Sequence, residues 1–394
     1  MPKSPKCSIN SKQVKVKPVN GLTLTGQPLE ELAATLAPLP HFRAVQIMQW
    51  IAAGTSSFEA MSNLPLTLRD DLTRRFLLRP EITGRKIRLG ADGTAKFALE
   101  FAGNACIEAV LLKHNSSNIR AAGSYTACLS TQAGCPAGCI FCKTGSLGFL
   151  RNLTAAEITE QFLQLRSYAE QSSEQPAEQS ADCSVAKERA NIAGLPVENI
   201  VIMGMGEPLL NLKELRRALE FICCPEGINF SKRRITVSTC GISEGIIDLA
   251  DNGPAVRLAV SLPSADETLR RRLMPIAEKH SLAVLKKALL YFQDKGGGRI
   301  TLETTLLGGI NSHSIDAEKI AFFAEGLDTA INIIPWNKVQ GLSFEGKKLV
   351  SPSKEEIACF SNALKKKGLN VTQRFRKGRS IMGACGQLGG LPHH

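Results

Sequence analysis

The chain has 394 residues, more than one average domain, and can bury a large core. It has no long apolar run, which argues against a membrane span. Twelve cysteines with no apolar leader in the lysine-rich N-terminus point to reduced thiols in a cytoplasmic setting, not a disulfide framework. A formal net charge of +12 suits a polyanionic partner such as RNA, although a generically basic protein would carry it equally well.

Residues 1–20 read as a disordered basic arm. Residues 21–80 read as a small helical domain. Leu29, Leu32 and Leu36, then Val45, Ile47, Met48 and Ile51, recur at helical spacing. Phe42 to Ile51 forms one amphipathic helix, and a second follows Pro65 with Leu68, Leu72 and Phe76 on one face. Across 81–118 the period changes to two. Phe97, Leu99 and Phe101 alternate with polar or small residues, and Ile107 to Leu112 is a further strand, so this region predicts antiparallel strands linking the helices to the core.

Residues 119–360 alternate strand and helix. Strands are expected at Tyr125–Ser130, Asn199–Met203, Ile235–Thr239, Val256–Ser261, Ile300–Leu306 and Ala330–Ile334, with helices such as Ala155–Tyr168 and Leu212–Ile222 between them. Six such units predict an α/β fold built on a partial (β/α)6 barrel. Residues 170–194, rich in Ser, Glu, Gln and Ala, read as a surface insertion. In 361–394 a last strand, Asn370–Phe375, precedes a basic, glycine-rich tail.

The chemistry-bearing residues fall just past the expected strand ends, where parallel barrels hold their active sites. Cys135-Pro-Ala-Gly-Cys139-Ile-Phe-Cys142 places three thiols on one short loop. Three thiolates can hold three irons of a [4Fe–4S] cluster and leave the fourth iron open to a substrate. The competing reading is structural zinc, which wants four Cys or His ligands, and the chain offers no second CxxC or HxxxH pair. Gly204-Met-Gly206-Glu207-Pro208 lacks the ending of a phosphate loop. Its glycines allow close approach of a ligand, and Glu207 can accept from an ammonium group; a solvated turn is the plainer alternative.

The Cys loop, with Phe141 before its last cysteine, resembles that of the radical S-adenosylmethionine (SAM) enzymes, as does the Gly-Glu-Pro motif. The likeness extends over nearly the whole chain through Phe42–Ile51, Phe58–Leu64, Cys128–Cys135, Gly148–Leu153, Met203–Leu209, Ile334-Pro-Trp-Asn337 and Gly383-Ala-Cys385-Gly-Gln-Leu388. Together these resemble the adenosine C2 methyltransferases of 23S ribosomal RNA and transfer RNA. A related branch methylates C8 of the same ribosomal adenosine and confers antibiotic resistance. The fuller helical region at 22–78 favours the C2 branch.

That resemblance implies a radical SAM core, one [4Fe–4S] cluster on Cys135, Cys139 and Cys142, and SAM contacts at Gly206, Glu207, Ser238, Ser261, Leu262, Pro263 and Asn337. It implies that the helical region contacts RNA and that a monomer works with a reducing system such as flavodoxin or ferredoxin. Cys385 matches the cysteine that is itself methylated, Cys128 the thiol that resolves the adduct through a transient disulfide with Cys385, and Glu108 the proton acceptor. The chemical need is clear: C2 of adenine is electron-poor and its hydrogen is not acidic, so direct displacement on SAM cannot methylate it. The family moves a methyl to the cysteine, removes a hydrogen from it by a radical, joins the carbon to C2, and frees the product by thiolate attack.

The plainer readings are an ordinary exposed carboxylate for Glu108 and a buried packing cysteine for Cys128. Cys106, Cys183, Cys223, Cys224, Cys240 and Cys359 match no family role. Lys232–Arg234 and Arg270–Arg272 either track phosphates or are solvated helix ends, and Arg374–Arg379 tracks phosphates. Pro263 stands where His or Asn is usual, Cys240 replaces a small polar residue, the 170–194 insertion has no usual counterpart, and Cys-Pro-Ala-Gly-Cys is itself atypical. A non-catalytic, zinc-holding RNA-binding protein is the reading from a different class; such a module would need none of Glu207, Asn337, Cys128 or Cys385.

Overall fold

The computed structural model describes residues 22–114, 124–173, 197–373 and 377–390. The basic arm, most of the insertion and part of the last basic cluster lie outside these residues.

One ten-stranded sheet organises the molecule. In chain order its strands are β1 (Ile82–Leu89), β2 (Ala95–Phe101), β3 (Ala105–Lys113), β4 (Tyr125–Cys128), β5 (Val197–Ile202), β6 (Ile235–Thr239), β7 (Arg257–Ser261), β8 (Ile300–Leu306), β9 (Thr329–Pro335) and β10 (Asn370–Gln373). Their order across the sheet follows the chain, each strand beside the next. From β4 to β10 every pair is parallel. The first four strands pair antiparallel. The six expected core strands are all present, and β10 adds a seventh parallel strand. The strands read as a linker are the near edge of the same sheet, continuous with the core. No closure of the sheet into a barrel joins β1 to β10.

Parallel strands are covered on both faces and so read as apolar runs. Ile331 and Ile333 in β9, and Leu258 and Val260 in β7, are fully or almost fully buried. The helices carry one apolar face each. In α6 (Leu212–Cys223) Leu215, Ala218, Leu219 and Ile222 are buried, while Lys213 and Glu220 lie outside; its forerunners are α1 (Leu29–Thr35), α2 (His41–Ala52), α3 (Leu66–Arg75), α4 (Lys143–Ser146) and α5 (Ala155–Ser173). The N-terminal region thus has three helices. Pro38 and Pro40 separate the first two, because a proline lacks the N–H needed within a helix. Phe76, expected on the last helix, instead pairs in a short parallel ladder with Leu22. Among the described residues no helix is long and apolar enough to cross a membrane.

Candidate active site

The Cys loop is set by a short antiparallel pair, Gln132–Gly134 with Phe149–Asn152. Cys135 N–H donates to the Gly148 carbonyl (2.8 Å), and Cys142 N–H to the Cys139 carbonyl (3.1 Å). Gly134 has φ +75°, and a Cβ there would overlap the Gly148 carbonyl oxygen. Only glycine fits at that corner. The loop is also tied across the sheet, since Ile140 N–H donates to the Leu273 carbonyl (3.1 Å).

The three thiols line a cavity of about 160 Å³. Facing them are Gly206, Glu207, Ser238, Ser261, Asn337 and Cys385. Burial pushes the Cys135 thiol up to about 12 and raises those of Cys139 and Cys142. With no cation present these sulfurs hold their protons, and a bound metal would have to displace them. No three His, Cys, Asp or Glu side chains among the described residues converge at the spacing of one bound ion. Cys240 and Cys385 also border this cavity, but only Cys135, Cys139 and Cys142 share one short loop, and three thiols on one loop suit a multi-iron cluster with one open iron.

Glu207 is buried, and burial raises its pKa against the pull of its hydrogen bonds. It accepts from Cys240 N–H (2.7 Å), Thr239 Oγ1 (2.7 Å) and Leu209 N–H (3.1 Å). The Cys240 thiol also donates to it, which brings a carboxylate to about its four acceptor positions, so a ligand ammonium would take the place of this weak donor. Asn337 donates through Nδ2 to the Cys385 carbonyl (3.1 Å), while its buried Oδ1 has no partner among the described residues. An orphan acceptor on a cavity wall is the kind of group that an ammonium or hydroxyl of a bound ligand satisfies.

Two of the expected SAM contacts stand apart. Leu262 is fully buried and outside the cavity lining, its N–H bonded to the Glu303 carbonyl (2.8 Å). Pro263 is also outside it, and its carbonyl already accepts from Asn311 Nδ2 (2.6 Å).

Behind this cavity lies a second, of about 390 Å³, reaching down the inside of the sheet. Cys128 lines it, with Lys113, His114, Arg257 and Lys377 towards its far end. Met203, Ile334, Asn337 and Cys385 border both cavities. Cys385 therefore stands at the junction, with the Cys loop on one side and Cys128 on the other. Neither Cys128 nor Cys385 is in a disulfide. Cys128, at the end of β4, owes its position to its register with Val201 of β5.

The segment carrying Cys385 is held by distant partners. Lys143 N–H donates to the Gly386 carbonyl (2.8 Å), Thr144 Oγ1 to the Leu388 carbonyl (2.8 Å) and Gln387 Nε2 to the Lys338 carbonyl (3.0 Å). Glu108 belongs to this set. It is not an exposed carboxylate: it is buried, paired with the fully buried Lys96 at 2.9 Å, and accepts from Gly389 N–H (2.6 Å). It lines neither cavity. Lys96 in turn donates to the Met382 carbonyl (2.9 Å).

Glu303 lines the first cavity without any signal in the sequence motifs, and Thr239, Trp336 and Gly386, which lie beside expected site residues, line it as well. Glu303 accepts from Ser238 Oγ (2.8 Å). Its signal is the one charge in a strand otherwise of Ile, Leu and Thr. Trp336 donates to the Phe141 carbonyl (2.9 Å), bracing the Cys loop.

The chain matches the radical SAM superfamily over residues 129–318 and the ribosomal RNA large subunit methyltransferase N-terminal domain over 19–78. It is 44% identical to the probable dual-specificity RNA methyltransferase RlmN of Treponema denticola, covering 93% of this chain and 95% of that protein. The RlmN of Lawsonia intracellularis is 39% identical over 94% and 96%. A crystal structure of a radical SAM methyltransferase from Sphaerobacter thermophilus superposes with a TM-score of 0.80 at 34% identity, over 93% of this chain and 99% of that one. The chain belongs to the RlmN family of radical SAM methyltransferases. Membership implies a [4Fe–4S] cluster and SAM, and the cavity bordered by the Cys loop has the donors for both.

Proposed function

We propose that this protein methylates C2 of an adenosine in 23S ribosomal RNA and in transfer RNA, by way of a methyl group carried on Cys385. The observation that carries the reading is Cys385 at the junction of two cavities, one bordered by three thiols and the other by Cys128. When bound on Cys135, Cys139 and Cys142, the cluster supplies the electron that cleaves SAM reductively. Glu207 and Asn337 then hold the polar end of SAM, the first by exchanging its Cys240 thiol donor for the ligand's ammonium and the second through its orphan oxygen. The Cys385 sulfur takes the methyl and presents it on the side where the larger cavity admits a base.

Once the carbon is joined to RNA, Cys128 attacks the Cys385 sulfur. The sulfur–carbon bond breaks, its electron pair stays with the product carbon, which takes up a proton to complete the methyl group, and a Cys128–Cys385 disulfide forms. An external thiol reductant restores both cysteines. Loss of the C2 proton needs a base. For Glu108 to serve, it must leave Lys96 and Gly389, so we assign it this role only with a shift of the 382–389 segment. Lys113, Arg257 and Lys377 suit the RNA phosphates. The enzyme acts as a monomer, with flavodoxin or ferredoxin as electron donor.

The test is to incubate reconstituted protein with SAM, a reductant and unmodified 23S ribosomal or transfer RNA, then map the methylated atom by mass spectrometry of the nucleosides. 2-Methyladenosine is expected in both RNAs. 8-Methyladenosine would assign the protein to the resistance branch, and no methylated adenosine would refute the reading.

A further inference from the structure

Arg270 was grouped with the surface cations of its run. The structure separates it from them. Arg271 and Arg272 reach the surface and pair with Glu267 and Glu345. Arg270, on α8 (Glu267–Leu273), which follows α7 (Ser243–Asn252), is fully buried. Its Nη1 donates to the His280 carbonyl (2.5 Å) and its Nη2 to the Cys240 carbonyl (3.4 Å). Its Nε has no partner among the described residues. No carboxylate lies within ion-pair distance of it among those residues. Glu267, one turn earlier, attracts it through space but forms no ion pair with it, being held by Arg271 Nε (3.2 Å) and Leu282 N–H (2.8 Å).

A guanidinium buried without a counter-charge is costly, and folded proteins rarely keep one. One residue, Cys240, links Arg270 to the Cys-loop cavity. Cys240, whose carbonyl Arg270 holds, lines the same cavity as Cys135, Cys139 and Cys142. The helix bearing Arg270 is tied to the Cys loop by Ile140 N–H on the Leu273 carbonyl. Just beyond the helix, Pro275 packs on Gly138. A [4Fe–4S] cluster on three thiolates is net negative, since the thiolates outweigh its core, and it becomes more so on reduction. Net charge around a cluster sets its potential.

We infer that Arg270 is the buried counter-charge of the cluster, a positioning residue that makes the cluster easier to reduce. The inference rests on the cluster reading above. It separates two states of the protein: in the apoprotein Arg270 is a liability, and in the holoprotein it is a partner.

The experiment uses the full chain in both states. Arg270→Met and Arg270→Gln remove the charge; Arg270→Lys keeps it. Apoprotein unfolding is followed by circular dichroism, and the holoprotein's midpoint potential by redox titration with electron paramagnetic resonance, without SAM. The neutral variants are expected to fold as apoproteins at least as stably as the wild type. Their clusters should be harder to reduce by at least a factor of ten in the equilibrium, about 59 mV for one electron. Arg270→Lys should stay nearer the wild type. A neutral variant with an unchanged potential overturns the inference. So does failure of both neutral variants to fold without the cluster, which would make the guanidinium a requirement of the fold alone. Wild-type protein that takes up no iron would instead refute the cluster reading itself.

Discussion

Two loops bring sulfur to the site, and they are held in different ways. The loop from Cys135 to Cys142 is held largely by its own neighbourhood: a two-strand turn, two glycines at positive φ and a first helical turn at Lys143. The 382–389 segment has one short turn of its own. It is fastened by Lys96, Glu108, Thr144 and Lys338, which lie far away in the chain. A locally built loop suits a cofactor that must always sit in the same place. A loop fastened by a few distant bonds can be released, which suits a cysteine that takes a methyl on one side and hands it to RNA on the other.

The largest effects should separate the two loops by the step at which each fails. Cys139→Ala removes one of the three loop thiols, so if these hold the cluster, cluster content and SAM cleavage should both be lost. Cys385→Ala should keep the cluster and reductive SAM cleavage but lose all RNA methylation, with no S-methyl group found by peptide mass spectrometry. If Cys385→Ala still methylates RNA, the two loops do not divide the work in this way. Cys128→Ala should join to RNA and fail to release it, giving a species on denaturing gels that ribonuclease collapses; Cys128→Ala with Cys385→Ala should not.

Next in size is the clasp. Lys96→Met removes the cation from buried Glu108 and the donor from the Met382 carbonyl. Breaking a buried pair costs about 3–5 kcal/mol. Urea unfolding should reveal a loss of that order. Methylation should fall with iron content unchanged, because the Cys loop does not depend on this pair. An iron content that drops in step with activity would join the two loops into one unit.

The sequence and the structure agree where the signals are local. The six core strands, the Cys loop and the Gly-Glu-Pro turn are each legible in a window of ten residues. Cys385 and Cys128 were found only through resemblance, because their meeting depends on β4–β5 register and on a tail bound by far residues. Lys96 gave no signal: a lysine between Ala95 and Phe97 reads as the exposed side of an alternating strand, yet both faces of β2 are buried. Glu303 and Arg270 escaped for the same reason. Their charge suggests solvent, and only the packed structure shows them enclosed.

Gly134→Ala should act on the first loop alone. The residue would need φ +75° and would overlap the Gly148 carbonyl. The positive φ costs roughly 1 kcal/mol, and the clash with backbone adds to it. Iron uptake should weaken, while a Cys385 peptide in the unreconstituted protein should be protected from alkylation as in the wild type. Equal loss at both loops would show that the corner also sets the tail.

The smallest effect concerns pH and lies outside both loops. Burial holds the His280 pKa below the ordinary 6.5, with Glu244 opposing and Arg270 reinforcing the shift. The unfolded chain therefore takes up this proton more readily than the folded one. By linkage, stability is fully present above 6.5 and falls as pH drops below it towards the folded value. His280→Asn, which cannot titrate, should flatten part of the decline in apoprotein melting temperature between pH 7.5 and 5.5. Among the described residues, the bonds that fasten the Cys385 segment involve no histidine, so alkylation of Cys385 should keep the same pH profile in this variant as in the wild type. A changed profile would tie the segment to the α8 side of the sheet, where Arg270 holds the His280 carbonyl.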